Sequence, residues 1–343
     1  MLYFPRLSRI NADQFCVNRR DLRESLLTLL NRNALKSVKA FAPATVANVC
    51  CGFDILGFAV DFPGDEVVLT LKEEPGVTIS KIAGDGGRLP LQASMNTAGV
   101  AIQSYLKALG RDQGVEVELY KNLPLGSGMG SSGASGVAAL VAINHLLGNP
   151  LTREQLVSHA MEAERIACGS AHADNVAPSL LGGFILVRDY HPLDIIKIPA
   201  PEKLYCTLVH PHIELKTSDS RRVLKPTVPL KDAITQGGNI GGLIAGLMKP
   251  DYGLISRSLK DVIAEPIRSV FIPGFDAIRK EATKAGALGC GISGSGPTMF
   301  ALSEDHETAQ QVGEIIQLQF LKHQLKSEVY VSKINYEGAR IIG

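Results

Sequence analysis

Two domains of mixed strand and helix are what the sequence predicts, on three observations. The chain has 343 residues, 45% of them hydrophobic, enough to bury one large core or two ordinary ones. From Ser37 onward, apolar runs of period two alternate with stretches that carry helix caps. A polar, Pro-marked passage from His191 to Pro201 then separates this series from a second one that begins at Leu204.

The elements follow in order. Met1 to Lys36 holds several Arg and Asn residues and one amphipathic run, Asp21 to Leu30, and reads as an extension of residues 1–36. Its acids Asp13, Asp21 and Glu24 argue against a transit peptide. Val67 to Leu71 and Val115 to Tyr120 have the alternation of strands with one buried face. Thr97 is expected to cap a helix through Leu109, ended by Gly110, and the apolar stretch Val137 to Leu147 is a second helix. Thr152 and Gln155 form a capping box that opens a third, through about Ala167. Gly183 to Val187 and Leu204 to Val209 read as strands. The expected domains are therefore residues 37–198 and 199–343.

Lys and Arg number 35 against 34 Asp and Glu, which excludes a broad basic field for nucleic acid and an acidic one for cations. The six cysteines, Cys16, Cys50, Cys51, Cys168, Cys206 and Cys290, lack paired zinc spacing and read as reduced, buried apolar groups. No stretch approaches the roughly 18 apolar residues of a membrane helix, and no secretory signal opens the chain. A cytoplasmic location is expected.

The densest concentration of glycine and serine is Pro124-Leu125-Gly126-Ser127-Gly128-Met129-Gly130-Ser131-Ser132-Gly133-Ala134, set between a strand and an apolar helix. Glycines let backbone amides approach an anion closely, and the positive end of the helix attracts it. There is no Gly-Lys-Ser/Thr of a Walker loop, and no acid follows where a dinucleotide-binding unit places one. On residues alone the loop is either a phosphate cradle or a turn that allows close helix packing.

Other polar groups stand in apolar surroundings. Asn48 and Asp54, within Ala40 to Gly57, either brace a turn or meet a polar ligand, since unpartnered burial costs about 1–3 kcal/mol. Glu162, Glu164, His172, Asp174 and Asn175 gather at a helix end. Glu162 reads as a solvated face, and His172 as either a structural or a catalytic imidazole. Arg221 and Arg268 lie beside apolar sequence and offer the planar fork that binds carboxylate, whereas Arg222 reads as a surface charge. Gly289 to Ala301 is a second glycine loop running into an apolar strand.

The loop at 124–132 resembles the P-x-x-x-G-L-G-S-S motif of the GHMP kinases, with Met129 where Leu is usual. Ala42-Pro43-Ala44-Thr45-Val46-Ala47-Asn48, followed by Gly52-Phe53-Asp54, and His172-Ala173-Asp174-Asn175 are similar to the pattern of the homoserine kinases within that superfamily; Cys50-Cys51 stands where many members carry Gly-Pro. The resemblance runs from about Val38 to the C-terminus. It implies an α+β, two-domain GHMP kinase fold: an N-terminal ribosomal-protein-like domain with a left-handed βαβ unit, and a C-terminal ferredoxin-like domain.

It also implies ATP-dependent phosphorylation of the homoserine hydroxyl to O-phospho-L-homoserine, in threonine biosynthesis. Loop residues 124–134 would hold ATP, with Ser132 and Glu164 on Mg²⁺. Asn48, Asp54, His172, Asn175, Arg221 and Arg268 would bind the amino acid, Asp54 facing its ammonium and the two arginines its carboxylate. Asn175, standing where several relatives have an aspartate, would orient the hydroxyl, so that catalysis by Asn175, Glu164 and Ser132 rests on positioning and charge neutralisation without a strong base. Family habit adds a homodimer. The rival expectations are a sister kinase for mevalonate or a sugar, and a nucleotide-binding regulator without turnover.

Overall fold

The computed structural model describes residues 36–169 and 172–343, apart from the side chains of 166–168. The amphipathic run at 21–30, Cys16 and the side chain of Cys168 thus lie outside the described residues. Ser37–Gly343 form one compact unit.

Its first sheet is built on β1 (Ser37–Ala47) and the long β2 (Leu56–Lys72), which pair antiparallel from Ser37↔Thr70 to Ala47↔Gly57 with a shift of register after Pro43. β3 (Gly76–Ala83) and β4 (Gly114–Tyr120) run parallel, joined by α1 (Thr97–Ala108), so they form a βαβ unit whose β4 pairs with the outer half of β2. Thr97 is the first helical residue of α1, not its cap. Asn96 takes that place, its side chain accepting from Ala98 N, because an amide oxygen in extended backbone reaches the second helical N–H.

Helix α2 (Ser131–Leu146) is apolar on every side and buried along nearly its whole length, against β1, β2 and α1 and against α3 (Arg153–Cys168). A helix so enclosed gives its N-terminus a fixed position. The capping box of Thr152 and Gln155 opens α3 as expected. α4 (Ala173–Leu181) follows, then β5 (Phe184–Tyr190), which pairs with the inner end of β2.

The polar passage after Tyr190 is not irregular throughout. It contains β6 (Leu193–Ile198), hairpinned to β5, with Leu193, Ile195 and Ile198 packed on the core and Ile196 and Lys197 exposed.

The second sheet is antiparallel, ordered β10-β7-β9-β8, from β7 (Tyr205–Pro211), β8 (Gly289–Ile292), β9 (Met299–Ser303) and β10 (Ser327–Lys333). Between β7 and β8 come α5 (Thr217–Arg222), α6 (Leu230–Met248), α7 (Tyr252–Ser258), α8 (Glu265–Arg268) and α9 (Phe275–Lys284). α10 (His306–Lys322) and α9 cover one face of this sheet, closing a core of Val209, Phe275, Ile278, Val312, Ile316 and Phe320. The chain then returns: β11 (Arg340–Ile341) pairs with β1 of the first sheet. Two residues joined through main-chain bonds carry no periodicity, so nothing in the sequence predicts that return.

Candidate active site

The glycine loop between β4 and α2 is pegged at both ends by one buried ion pair. Lys121 Nζ contacts the Asp65 carboxylate, with side-chain exposures of 1% and 0%, and donates to Ser131 O at 2.7 Å and Ser135 Oγ at 2.9 Å. Asp65 Oδ1 in turn accepts from the backbone N–H of Asn122 and Leu123. The chain is thereby fixed on either side of a bend whose apex needs glycine. Gly128 has φ 80°, and a Cβ there would lie 2.4 Å from Ser293 O; Gly130, the N-cap of α2, has φ 69° and would meet Thr45 Oγ1 at 2.2 Å. The two glycine loops are in direct contact, with Ser293 Oγ donating to Gly128 O and Thr298 N to Ser127 O.

A cleft of about 630 Å³ opens over this bend, lined by residues from both glycine loops and both sheets' connections. Met129 is fully buried beneath it and serves as the apolar anchor of the loop. Ser132 Oγ, in the first turn of α2, donates to Glu164 Oε1 at 2.5 Å, and Glu164 is 6% exposed. A hydroxyl and a carboxylate in contact at a helix N-terminus are a hard oxygen pair suited to Mg²⁺ in company with phosphate oxygens.

The other end of the cleft carries charge. Asn48 (φ 71°) and Asp54 (φ 59°) take left-handed backbone, and Asn48 Oδ1 accepts from Asp54 N at 3.0 Å while its Nδ2 donates to Gly294 O at 2.8 Å. Asn48 therefore braces the turn and ties it to the second glycine loop. The Cys50-Cys51 departure is absorbed there: both side chains are buried, and Cys51 O accepts from Gln236 Nε2. The Asp54 carboxylate faces the cleft and accepts from both terminal nitrogens of Arg221, at 2.7 and 3.0 Å.

Arg268 is 4% exposed, its guanidinium 4.9 Å above the Phe53 ring, with Nε donating to Ser220 O at 3.0 Å. Burial, reinforced by Arg221, pulls its pKa down to about 10. Among the described residues no carboxylate pairs with it. His172 Nδ1 lies 3.8 Å from Asp54 Oδ2 and has no hydrogen-bond partner among the described residues; burial lowers its pKa, against the pull of Asp54. Asn175 Oδ1 accepts from Thr45 Oγ1 at 2.8 Å, which leaves its amide N–H groups for the cleft.

Asn48, Asp54, Ser132, Glu164, His172, Asn175, Arg221 and Arg268 thus line one cleft, with Leu125, Gly126, Ser127, Gly128, Gly130 and Ser131 of the loop, whereas Pro124, Met129, Gly133 and Ala134 lie outside its lining. Two residues escaped that reading, and a third, Asp174, stood in its cluster at the helix end without a role. Asp65 and Lys121 look like ordinary surface charges beside strands. Asp174 is 3% exposed, with burial first and the charge of Asp54 next raising its pKa to about 7. Its burial beside Ala173, Val176 and Ala177 marks that face of α4 as buried.

The families described as GHMP kinases N terminal domain and GHMP kinases C terminal match residues 96–183 and 243–322. A homoserine kinase of Chlorobium phaeovibrioides is 55% identical over 90% of this chain and all of its own length. One of Xylella fastidiosa is 40% identical, covering 89% of this chain and 94% of its own. A crystal structure of homoserine kinase from Cytophaga hutchinsonii superposes with a TM-score of 0.88 at 56% identity, covering 90% of this chain and 98% of that one.

Proposed function

The chain belongs to the homoserine kinases of the GHMP family, and from that premise we propose that its cleft seats ATP along residues 124–134 and homoserine among Asn48, Asp54, His172, Asn175, Arg221 and Arg268. The fold is the two-domain α+β fold of that family. We draw its internal division between residues 198 and 199, supported by the change from one sheet to the other after β6. The reaction is transfer of the γ-phosphoryl group of ATP to the homoserine hydroxyl, a step of threonine biosynthesis.

Backbone N–H groups from Gly126 to Ser132 and the N-terminus of α2 neutralise the phosphate charge. Ser132 and Glu164 would hold Mg²⁺, which supplies charge neutralisation on the transferring phosphoryl group. Arg268 and Arg221 grip the carboxylate, fixing the far end of the substrate. Asn175 presents N–H donors to the acceptor hydroxyl, whose oxygen forms the new bond to phosphorus as the bond to the ADP oxygen breaks. An amide accepts no proton, so the hydroxyl proton leaves with the transferred phosphoryl group, and rate enhancement rests on alignment and electrostatics. A cytoplasmic homodimer completes the reading, on the resemblance and on four buried, unpaired cysteines that suit a reducing compartment.

The observation that carries the proposal is that the Ser132–Glu164 pair and the Asp54, Arg221 and Arg268 cluster face one cleft. ADP release measured by coupled assay with homoserine, mevalonate and galactose tests it. Turnover with homoserine alone is expected, and preferential turnover of either other alcohol would defeat it.

A further inference from the structure

One deeply buried imidazole, that of His210 near the end of β7, is absent from the lining of the cleft. It is 5% exposed and hydrogen-bonds the Thr298 hydroxyl, Nδ1 to Oγ1, at 3.0 Å. Thr298 is fully buried and stands just before β9, one step beyond Val209 and Met299, the last residues paired between these strands. Strand alternation puts Cys206, Leu208 and His210 on one face of the second sheet. Cys206 and Leu208 lie opposite Leu302 and Phe300, all four in the core shared with the first sheet, where Phe58 of β2 meets Phe300 edge-on with ring centroids 6.2 Å apart. An imidazole and a hydroxyl at the end of so apolar a face give up water and gain one hydrogen bond, a poor exchange for stability alone.

What the pair holds is the junction of the two glycine loops. Thr298 N donates to Ser127 O at 3.1 Å, in the middle of the first loop, and Thr298 O accepts from Ser293 N at 2.9 Å, which closes the second loop at its base. In a trans peptide the N–H points opposite to the C=O, so tying down Ser127 O aims the Gly128 N–H away from Thr298. We infer that His210 is a positioning residue for ATP: by fixing the Thr298 side chain it sets the peptide that holds Ser127 O, and so orients the Gly128 N–H for the nucleotide phosphates. This rests on the nucleotide reading of residues 124–134 and deepens it. Burial lowers the His210 pKa to about 4, against the pull of Glu328, so the ring that meets Thr298 is uncharged at pH 7. The amino acid end of the cleft is tied elsewhere, since Asn48 Nδ2 and Arg268 both reach Gly294 O at the other end of the second loop. The neighbouring His212 is half exposed and lies 3.4 Å from Glu328 Oε1, its ring 6.5 Å from that of His210.

The test measures ADP release by the full-length enzyme, with KM for ATP at saturating homoserine and KM for homoserine at saturating ATP. His210→Leu, His210→Asn, Thr298→Val, the double variant of His210→Leu with Thr298→Val, and His212→Ala are compared with the wild type. His210→Leu leaves the Thr298 hydroxyl buried alone and should raise KM for ATP about five- to twentyfold, the range for an unmet buried hydrogen-bonding group, with kcat and KM for homoserine within about twofold. His210→Asn, whose amide lies near the place of Nδ1, should restore most of the loss. Thr298→Val should raise KM for ATP by itself, and the double variant should be no worse than His210→Leu, because removing both partners leaves no group unsatisfied. His212→Ala should match the wild type.

Equal rises in both KM values, as a general loosening of the fold would give, would overturn the assignment. So would an unchanged KM for ATP in His210→Leu, or single effects that simply multiply in the double variant. His210→Asn and Thr298→Val carry the comparison should Leu disturb the sheet. A wild type that releases no ADP with homoserine would overturn the reading of function and this assignment together, a result visible before any variant is made; a normal wild type beside an indifferent His210→Leu removes the assignment alone.

Discussion

Removing the two partners of the Lys121–Asp65 pair one at a time should give unequal losses of stability. Asp65→Ala leaves a nearly inaccessible ammonium with only Ser131 O and Ser135 Oγ as acceptors. Breaking a buried pair in this direction costs about 3–5 kcal/mol. Lys121→Met leaves a carboxylate that still accepts from Asn122 N at 3.0 Å, Leu123 N at 3.1 Å and Ser135 Oγ at 2.8 Å, so its loss should be nearer 1–3 kcal/mol. The double change to Ala and Met removes both charges and should cost less than the two losses added.

Urea unfolding followed by circular dichroism measures all three, against a total stability of roughly 5–15 kcal/mol. Because Lys121 holds Ser131 O at the far end of the glycine loop, Lys121→Met should also raise KM for ATP more than KM for homoserine. A Lys121→Met loss equal to or larger than that of Asp65→Ala, strict additivity in the double variant, or an unmoved KM for ATP would refute the reasoning.

Three further outcomes are expected. Arg268→Ala should raise the homoserine KM about 100-fold at saturating ATP, and Arg268→Lys should recover little of it, because an ammonium cannot reproduce the planar fork; initial rates showing less than a threefold change would exclude Arg268 as the carboxylate group. Glu164→Gln should raise the half-saturating Mg²⁺ concentration about tenfold or more and lower turnover, with an unchanged circular dichroism spectrum, since it takes a carboxylate away from Ser132; a titration that overlays the wild type would remove Glu164 from the metal site. Asp174→Asn should stabilise the unliganded protein at pH 8 and not at pH 4. Burial raises the Asp174 pKa from 3.8 to about 7, so the folded state retains a proton that the unfolded chain has released, and stability falls as pH rises through that window, by on the order of 2–4 kcal/mol; equal urea midpoints for the two proteins at pH 8 would contradict this.

Much of the chain announces itself locally. The capping box at Thr152 and Gln155, the alternation in Val115 to Tyr120 and the glycines from Gly126 to Gly130 report short-range geometry: a side chain reaching three residues on, one face of a pleat buried, a backbone at positive φ. Those rules act within a few residues of the chain, so the sequence determined by itself where strands, helices and the anion-binding bend occur, and with the family pattern which residues gather at the site. It misjudged what depends on slight margins, placing the α1 cap one residue late at Thr97 and overlooking the edge strand β6.

Only the tertiary structure decided what each charge does. Asp54 meets Arg221 across 167 positions of sequence, and Asn48 meets Gly294 across 246. Asp65 and Asp174 are both nearly inaccessible, yet the first is saturated by Lys121, Ser135 and two backbone N–H groups and the second keeps an oxygen without a partner among the described residues. The energy of a charge in a protein depends on which elements exclude water from it and which opposite charge they bring within reach, and both are properties of the packed sheets and helices. A run of letters around an aspartate does not contain them.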